Sequence, residues 1–180
     1  MTIFYAWRPP DPLGLALMAC AGSGTGTDTG GEQMIVSSGF VKAYPRLAMW
    51  ICDNLPDVRK RKAKVFKEFQ KYAEFSEKVA ERALRHGNPP VIEFRYIPTA
   101  NGEFIGKKYP DTVFIAMDIC DRFQRSEADA KDPRMHLLVE STLLHEIVHW
   151  GDWTNGKVAS FEAGKAFEKA AYGKDIRRYW

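Results

Sequence analysis

Two histidines four residues apart, with a glutamate beside the first, form the group in this chain best suited to chemistry: His145-Glu146-x-x-His149. On a helix, positions i and i+4 project from one face with Cβ atoms about 5–6 Å apart. Two imidazoles so placed can reach one zinc ion, at about 2.0–2.1 Å each. Glu146 lies about 100° further round the helix. From there its carboxylate reaches a metal-bound water without being drawn into the coordination sphere. The expected chemistry is metal-assisted hydrolysis: the metal acidifies the water and polarises a scissile carbonyl, and Glu146 takes the proton and passes it to the leaving amine. The setting favours this reading. The motif lies among Leu137, Leu138, Leu143, Leu144, Ile147 and Val148, and two imidazoles and a carboxylate buried on such a helix are costly without partners.

The motif supplies two ligands and a base, and a third ligand has to come from elsewhere. Asp152 is near in sequence, but seven residues of helix climb about 10.5 Å. It can ligate only if the chain folds back at Gly151, so its expected role is to brace a ligand histidine or to cap the turn. Glu162 and Glu168 lie further on. Glu162 shares its helical face with Lys165 and Lys169, a solvated, charge-paired face. Glu168 shares its face with Phe161, Gly164, Ala171 and Tyr172. That face is apolar and small, so Glu168 is the buried glutamate, and a zinc ion would be its partner. Gly164, one turn earlier, leaves room for a neighbouring helix. Tyr172, one turn after Glu168, could donate to a tetrahedral oxyanion, or could be an ordinary core tyrosine.

The block 140–173, with His149-Trp150-Gly151-Asp152 and Phe167-Glu168-x-x-Ala171-Tyr172-Gly173, resembles the zincin metallopeptidase toxins that serve as effector domains of bacterial type VI secretion and polymorphic toxin systems. It is similar in particular to the metallopeptidase domains fused to VgrG spike proteins. The resemblance implies a gluzincin-like site, with His145 and His149 as ligands, Glu146 as base and a downstream glutamate as third ligand. It is also similar to the aspzincin pattern, in which an acidic ligand is closely followed by Tyr-Gly. Here a glutamate stands for the aspartate and the tyrosine comes one residue later. The resemblance further implies an edge strand that pairs with an extended peptide, for which "DTVFIAM" (111–117) is the expected segment.

Several elements must position these groups. Asp132-Pro133 offers a helix N-cap with Pro at N1, so a helix is expected from Arg134 to Trp150 and a stop at Gly151. The last helix is expected over 158–172. Upstream, "GFVKAYPRLAMWICDNLP" has helical spacing and ends at Pro56. Residues 58–86 read as one long helix with an apolar stripe through Val65, Phe66, Phe69, Val79 and Leu84, ended by "HGNPP". "VIEFRYI" (91–97) alternates as a strand, "NGEF" (101–104) reads as a turn, and a short helix follows Asp118 or Asp121. The fold class is α+β, a mostly helical zincin-like metallopeptidase with a small sheet.

Residues 21–31, "AGSGTGTDTGG", form a low-complexity linker with no phosphate-loop lysine after it. The expected division is therefore a loosely packed segment over 1–32 and the metallopeptidase domain over 33–180. "LGLALMAC" (13–20) resembles a lipobox, but "RPPDP" before it favours a loop and a short buried segment. No standard signal peptide and no membrane-spanning run is visible. Cys20, Cys52 and Cys120 are too scattered for a zinc ribbon, although one disulfide remains open. His86 reads as a helix-end residue and His136 as a first-turn surface residue. Net charge is +3, and the basic runs at 57–67 and at the C-terminus lack the aromatic or Gly-rich spacing of a nucleic-acid module. They read as solvated faces.

The resulting expectation is a Zn2+-dependent peptidase toxin. By the resemblance it leaves its producer through a contact-dependent system on a secretion-machine carrier, acts in the periplasm of a target cell, and is neutralised at home by an immunity protein. Its substrate is a protein or peptide. Two alternatives are an amidase or peptidase acting on peptidoglycan stem peptides, and a non-catalytic zinc-binding module. A structural zinc site is normally closed by four protein ligands and has no use for Glu146.

Overall fold

The computed structural model describes residues 36–85, 89–157 and 161–180. The expected 1–32 segment, with Cys20 and the lipobox-like run, lies outside the described residues, as does His86.

The first described elements are α1 (Ser38–Ala43) and α2 (Pro45–Asn54). The Ser37 side chain caps α1 by accepting the Phe40 N–H. Tyr44, at φ −134° and ψ 58°, breaks the helix between them, and Pro45 then serves as the first residue of α2. The single helix expected over 58–86 is instead three: α3 (Val58–Arg61), α4 (Ala63–Tyr72) and α5 (Glu77–Leu84). The chain leaves helical geometry at Lys62, and again at Glu74, whose φ is 54°. Ser76 then caps α5 by accepting the Val79 N–H. The apolar stripe stays buried through Val65, Phe66, Phe69 and Leu84, but the break turns Val79 outward to 40% exposure.

The sheet has three strands: β1 (Val91–Arg95), β2 (Gly102–Phe104) and β3 (Thr112–Ala116), in the order β1-β3-β2. β1 and β3 are parallel, with Val91 opposite Thr112. β2 and β3 are antiparallel, with Gly102 opposite Ile115. Two expectations are corrected here. The segment "NGEF" is a strand from Gly102 onward, because β3 gives its backbone a ladder to join. The segment "DTVFIAM" supplies the central strand, not an edge, since it is paired on both sides. Among the described residues β2 pairs only with β3, whereas β1 carries a further bridge from Ile92 to Val36.

After α6 (Met117–Arg125) and α7 (Glu127–Lys131) comes the longest element, α8 (Pro133–Thr154). Asp132 caps it by accepting the Arg134 N–H, with Pro133 in the first turn. The stop expected at Gly151 does not occur. A Cβ at Gly151 would meet the Ala73 carbonyl and the Phe75 ring. The missing side chain therefore serves the close approach of α8 to the end of α4, not a chain reversal. α9 (Phe161–Tyr172) packs along both α4 and α8, and α8 also covers β2 and β3. Leu138, Val139, Leu143, Leu144, Ile147 and Val148 are all fully buried. No described helix is long and apolar enough to cross a membrane.

Candidate active site

α8 brings the two motif histidines together as their spacing requires. The ring centroids of His145 and His149 lie 4.9 Å apart at 67°. Two imidazoles sharing one tetrahedral ion at ordinary Zn–N lengths need centroids about 5 Å apart. His149 is buried, and burial, followed by the nearby charge of His145, pulls its pKa down to about 4. It is thus a neutral imidazole at physiological pH, the form that binds metal. Among the described residues its Nδ1 has no hydrogen-bond partner.

His145 is held from α9. Its Nδ1 lies 2.8 Å from Oε1 of Glu168. Burial works against its protonation, but the hydrogen bond to Glu168 and the charges of Glu146 and Glu168 outweigh that, and its pKa is raised. The ring fits against Gly164, where a Cβ would collide with Nε2. What approaches the small residue on α9 is therefore the first histidine of the motif. Glu168 is 5% exposed. Its second oxygen, Oε2, accepts the Ile176 N–H at 2.7 Å.

Glu146 faces the sheet. A Cβ at Gly102 would stand 2.8 Å from both Cγ and Oε1 of Glu146, so the first residue of β2 is bare where the carboxylate passes. Burial raises the Glu146 pKa to about 7. A buried carboxylate with a pKa near neutrality can accept and release a proton at physiological pH.

The remaining candidates are placed differently. The Tyr172 hydroxyl donates to Oε1 of Glu140 at 3.0 Å. Glu140 is 3% exposed, and the Lys62 ammonium donates to both of its oxygens, at 2.9 and 2.8 Å. The Tyr172 pKa is raised by burial and by Glu140. Asp152 is buried on an unbroken helix, one turn beyond His149, so the fold-back that would bring it to a metal is closed. Glu162 is the second residue of α9, and its side chain lies outside the described part. His136 is not a bare surface residue: it is half-buried, its Nε2 lies 2.8 Å from the Ala130 carbonyl, and its ring sits against Trp50.

Sequence reasoning missed Glu140 and Lys62. Glu140 carried the same signal as Glu146, a charged residue inside an apolar helix. Lys62 was hidden in a run of basic residues.

Among the described residues, no three His, Cys, Asp or Glu side chains surround a common point. Glu168 is engaged by His145 and by Ile176. Even so, the donor set suits a metal: a neutral buried imidazole with an unpartnered ring nitrogen, a second imidazole at the right spacing, and a buried carboxylate in contact with the latter. Imidazole with carboxylate is a ligand chemistry of zinc and its first-row neighbours.

The family model for metallopeptidase toxin 3 matches residues 40–173, a span that takes in the whole motif, both downstream glutamates and Tyr172. No curated protein and no solved structure matches the chain.

Proposed function

The chain belongs to the metallopeptidase toxin 3 family, and from that premise we propose that it is a zinc-dependent endopeptidase delivered into target cells. The observation that carries the proposal is the position of Glu146, buried next to His145 and against the bare start of β2. His145 and His149 would hold the ion. When bound, zinc would acidify a water molecule and polarise a peptide carbonyl. Glu146 would take the proton of the attacking water and hand it to the leaving amine. β2 replaces β3 as the strand that receives substrate: an extended peptide would pair with its unpaired edge and pass beside Glu146.

Glu168 is proposed as the third ligand, on its burial and its place against His145. The 2.8 Å contact also favours a second reading, in which Glu168 accepts the Nδ1–H of His145 and leaves Nε2 to the metal. The two readings differ in magnitude. Removing a ligand should abolish stoichiometric zinc, whereas removing an orienting carboxylate typically costs about 10–100-fold in affinity. Zinc content of Glu168→Ala at micromolar protein separates them. Asp152, one turn beyond His149, is proposed to cap the turn at the end of α8, since the His149 Nδ1 has no partner among the described residues.

A toxin of this kind would need an immunity protein covering the face formed by Glu146 and the outer edge of β2, and a contact-dependent route to the target periplasm. Expression of wild type and Glu146→Ala, with and without a periplasmic signal, tests activity and compartment together. Casein and purified sacculi as parallel substrates test protein against peptidoglycan. A Glu146→Ala variant that binds zinc normally and stays fully toxic would overturn the hydrolase reading.

A further inference from the structure

We propose that Asn101 and Ile176 are positioning residues that fasten the substrate edge and Glu168 into one frame, through a strap formed by the C-terminal segment 174–180. This rests on the hydrolase reading above, but its residues lie outside the ligand and base set. Ile176 also lies beyond the part of the chain that matches the family model.

Both backbone polar groups of Ile176 are committed. Its N–H donates to Oε2 of Glu168 at 2.7 Å, and its carbonyl accepts from Nδ2 of Asn101 at 2.9 Å. The Ile176 side chain is buried, at 7% exposure. The Asn101 carbonyl in turn accepts the Ala116 N–H at the end of β3, at 2.8 Å. Asn101 directly precedes Gly102, the residue that lies against Glu146. The contacts close into a ring: His145 to Glu168, Glu168 to Ile176, Ile176 to Asn101, Asn101 through Gly102 to Glu146, and Glu146 back to its neighbour His145 on α8.

Arg178 extends the strap. Its guanidinium donates to the carbonyls of Ile97, Pro98 and Ala100, and it pairs with Asp118 at 2.8 Å. The connection from β1 to β2 has little secondary structure of its own to satisfy those carbonyls. The tail supplies the donors. The basic C-terminal run, which reads in sequence as a solvated face, is instead the tie between the β1–β2 connection and α9. Without it, β2 and Glu168 could move independently, and the substrate edge would be held in register against the site less firmly.

Asn101→Ala and Asn101→Asp both remove the donor to Ile176, the second without changing side-chain size. Three measurements decide: hydrogen–deuterium exchange of the metal-free protein, the rate at which the zinc-loaded protein yields Zn2+ to a chelator, and kcat and KM on a peptide substrate at saturating zinc. Both variants should melt cooperatively. Exchange should rise selectively at Ile176 and Gly102–Phe104, and zinc release should quicken. KM should rise about fivefold, the cost of one ordinary hydrogen bond, with kcat close to wild type. Unchanged exchange and unchanged zinc release overturn the proposal. A uniform loss of protection along the chain also overturns it, because Asn101 would then serve global stability. If wild type cleaves no peptide, the hydrolase reading fails, while exchange and zinc release still decide the strap.

Discussion

The Nδ1 of His145 and Oε1 of Glu168 lie 2.8 Å apart, and this contact joins α8 to α9 at the candidate site. It is possible because Gly164 leaves the ring a seat on α9. Gly164→Ala should push the His145 ring away from Glu168. The expected result is zinc affinity lowered by about 10–100-fold in a protein that still folds. Zinc competition against a fluorescent chelator measures it. Wild-type affinity in the variant would mean that the ring has room to spare, and the seat would lose its meaning.

The metal-free protein should show opposing pH dependences from Glu146 and His149. Glu146 titrates at about 7 in the folded chain, above its ordinary value of 4.5. Between those values the folded state keeps a proton that the unfolded state has released, so stability falls as pH rises and stays reduced above 7. His149 titrates at about 4, below its ordinary 6.5. There the unfolded state holds the extra proton, so its contribution is present above 6.5 and is lost as pH falls toward 4. Glu146→Gln removes only the first effect. The variant should match wild type near pH 4 and exceed it by about 3 kcal/mol above pH 7. Urea melts of chelator-treated protein at several pH values check this. A difference that does not grow with pH would show that Glu146 is not a buried, neutral-leaning acid.

Much of this arrangement was legible in the sequence because its signals are local. Helical spacing places His145 beside His149, Asp132-Pro133 marks the start of α8, and the apolar face of α9 marks Glu168 as a buried glutamate. The misreadings came from interactions distant in sequence. Lys62 interrupts a good helical pattern, yet its ammonium lies on Glu140, seventy-eight residues away. Gly151 has the form of a stop signal, but its lack of a side chain accommodates α4. Residues 102–104 are a strand because β3 is beside them, and a three-residue strand has too little pattern of its own to announce itself. Tyr172 falls on the same helical side as Glu168, but helical phase does not tell which buried carboxylate its hydroxyl will find.

That carboxylate, Glu140, defines a test of Tyr172. Its partners are the Tyr172 hydroxyl and the Lys62 ammonium. Tyr172→Phe should cost about 1 kcal/mol of stability, as for an ordinary hydrogen bond. Its kcat should stay within a small factor of wild type, because the hydroxyl is committed to Glu140. Lys62→Ala should cost more, about 1–3 kcal/mol, since it strips a buried carboxylate of its counter-charge while the ammonium itself is partly solvated. Glu140→Gln in the Lys62→Ala background should recover part of the loss. A fall of two orders of magnitude in kcat for Tyr172→Phe, with stability unchanged, would return Tyr172 to the reacting atoms.

Gly102 ties the sheet to the chemistry, and its substitution separates the base from the ligands. A Cβ there would press on Cγ and Oε1 of Glu146 and on the Phe114 carbonyl, each at 2.8 Å. The backbone at Gly102 is ordinary strand, so alanine introduces no torsional strain; what changes is space. The carboxylate would have to move, whereas the histidines, on the neighbouring positions of α8, would not. Gly102→Ala should therefore keep its zinc and lose about 10–100-fold in kcat, the penalty of a displaced catalytic group. Zinc content by atomic absorption alongside peptide cleavage makes the comparison. Loss of zinc in step with activity would show that β2 supports the whole site and not the position of Glu146 alone.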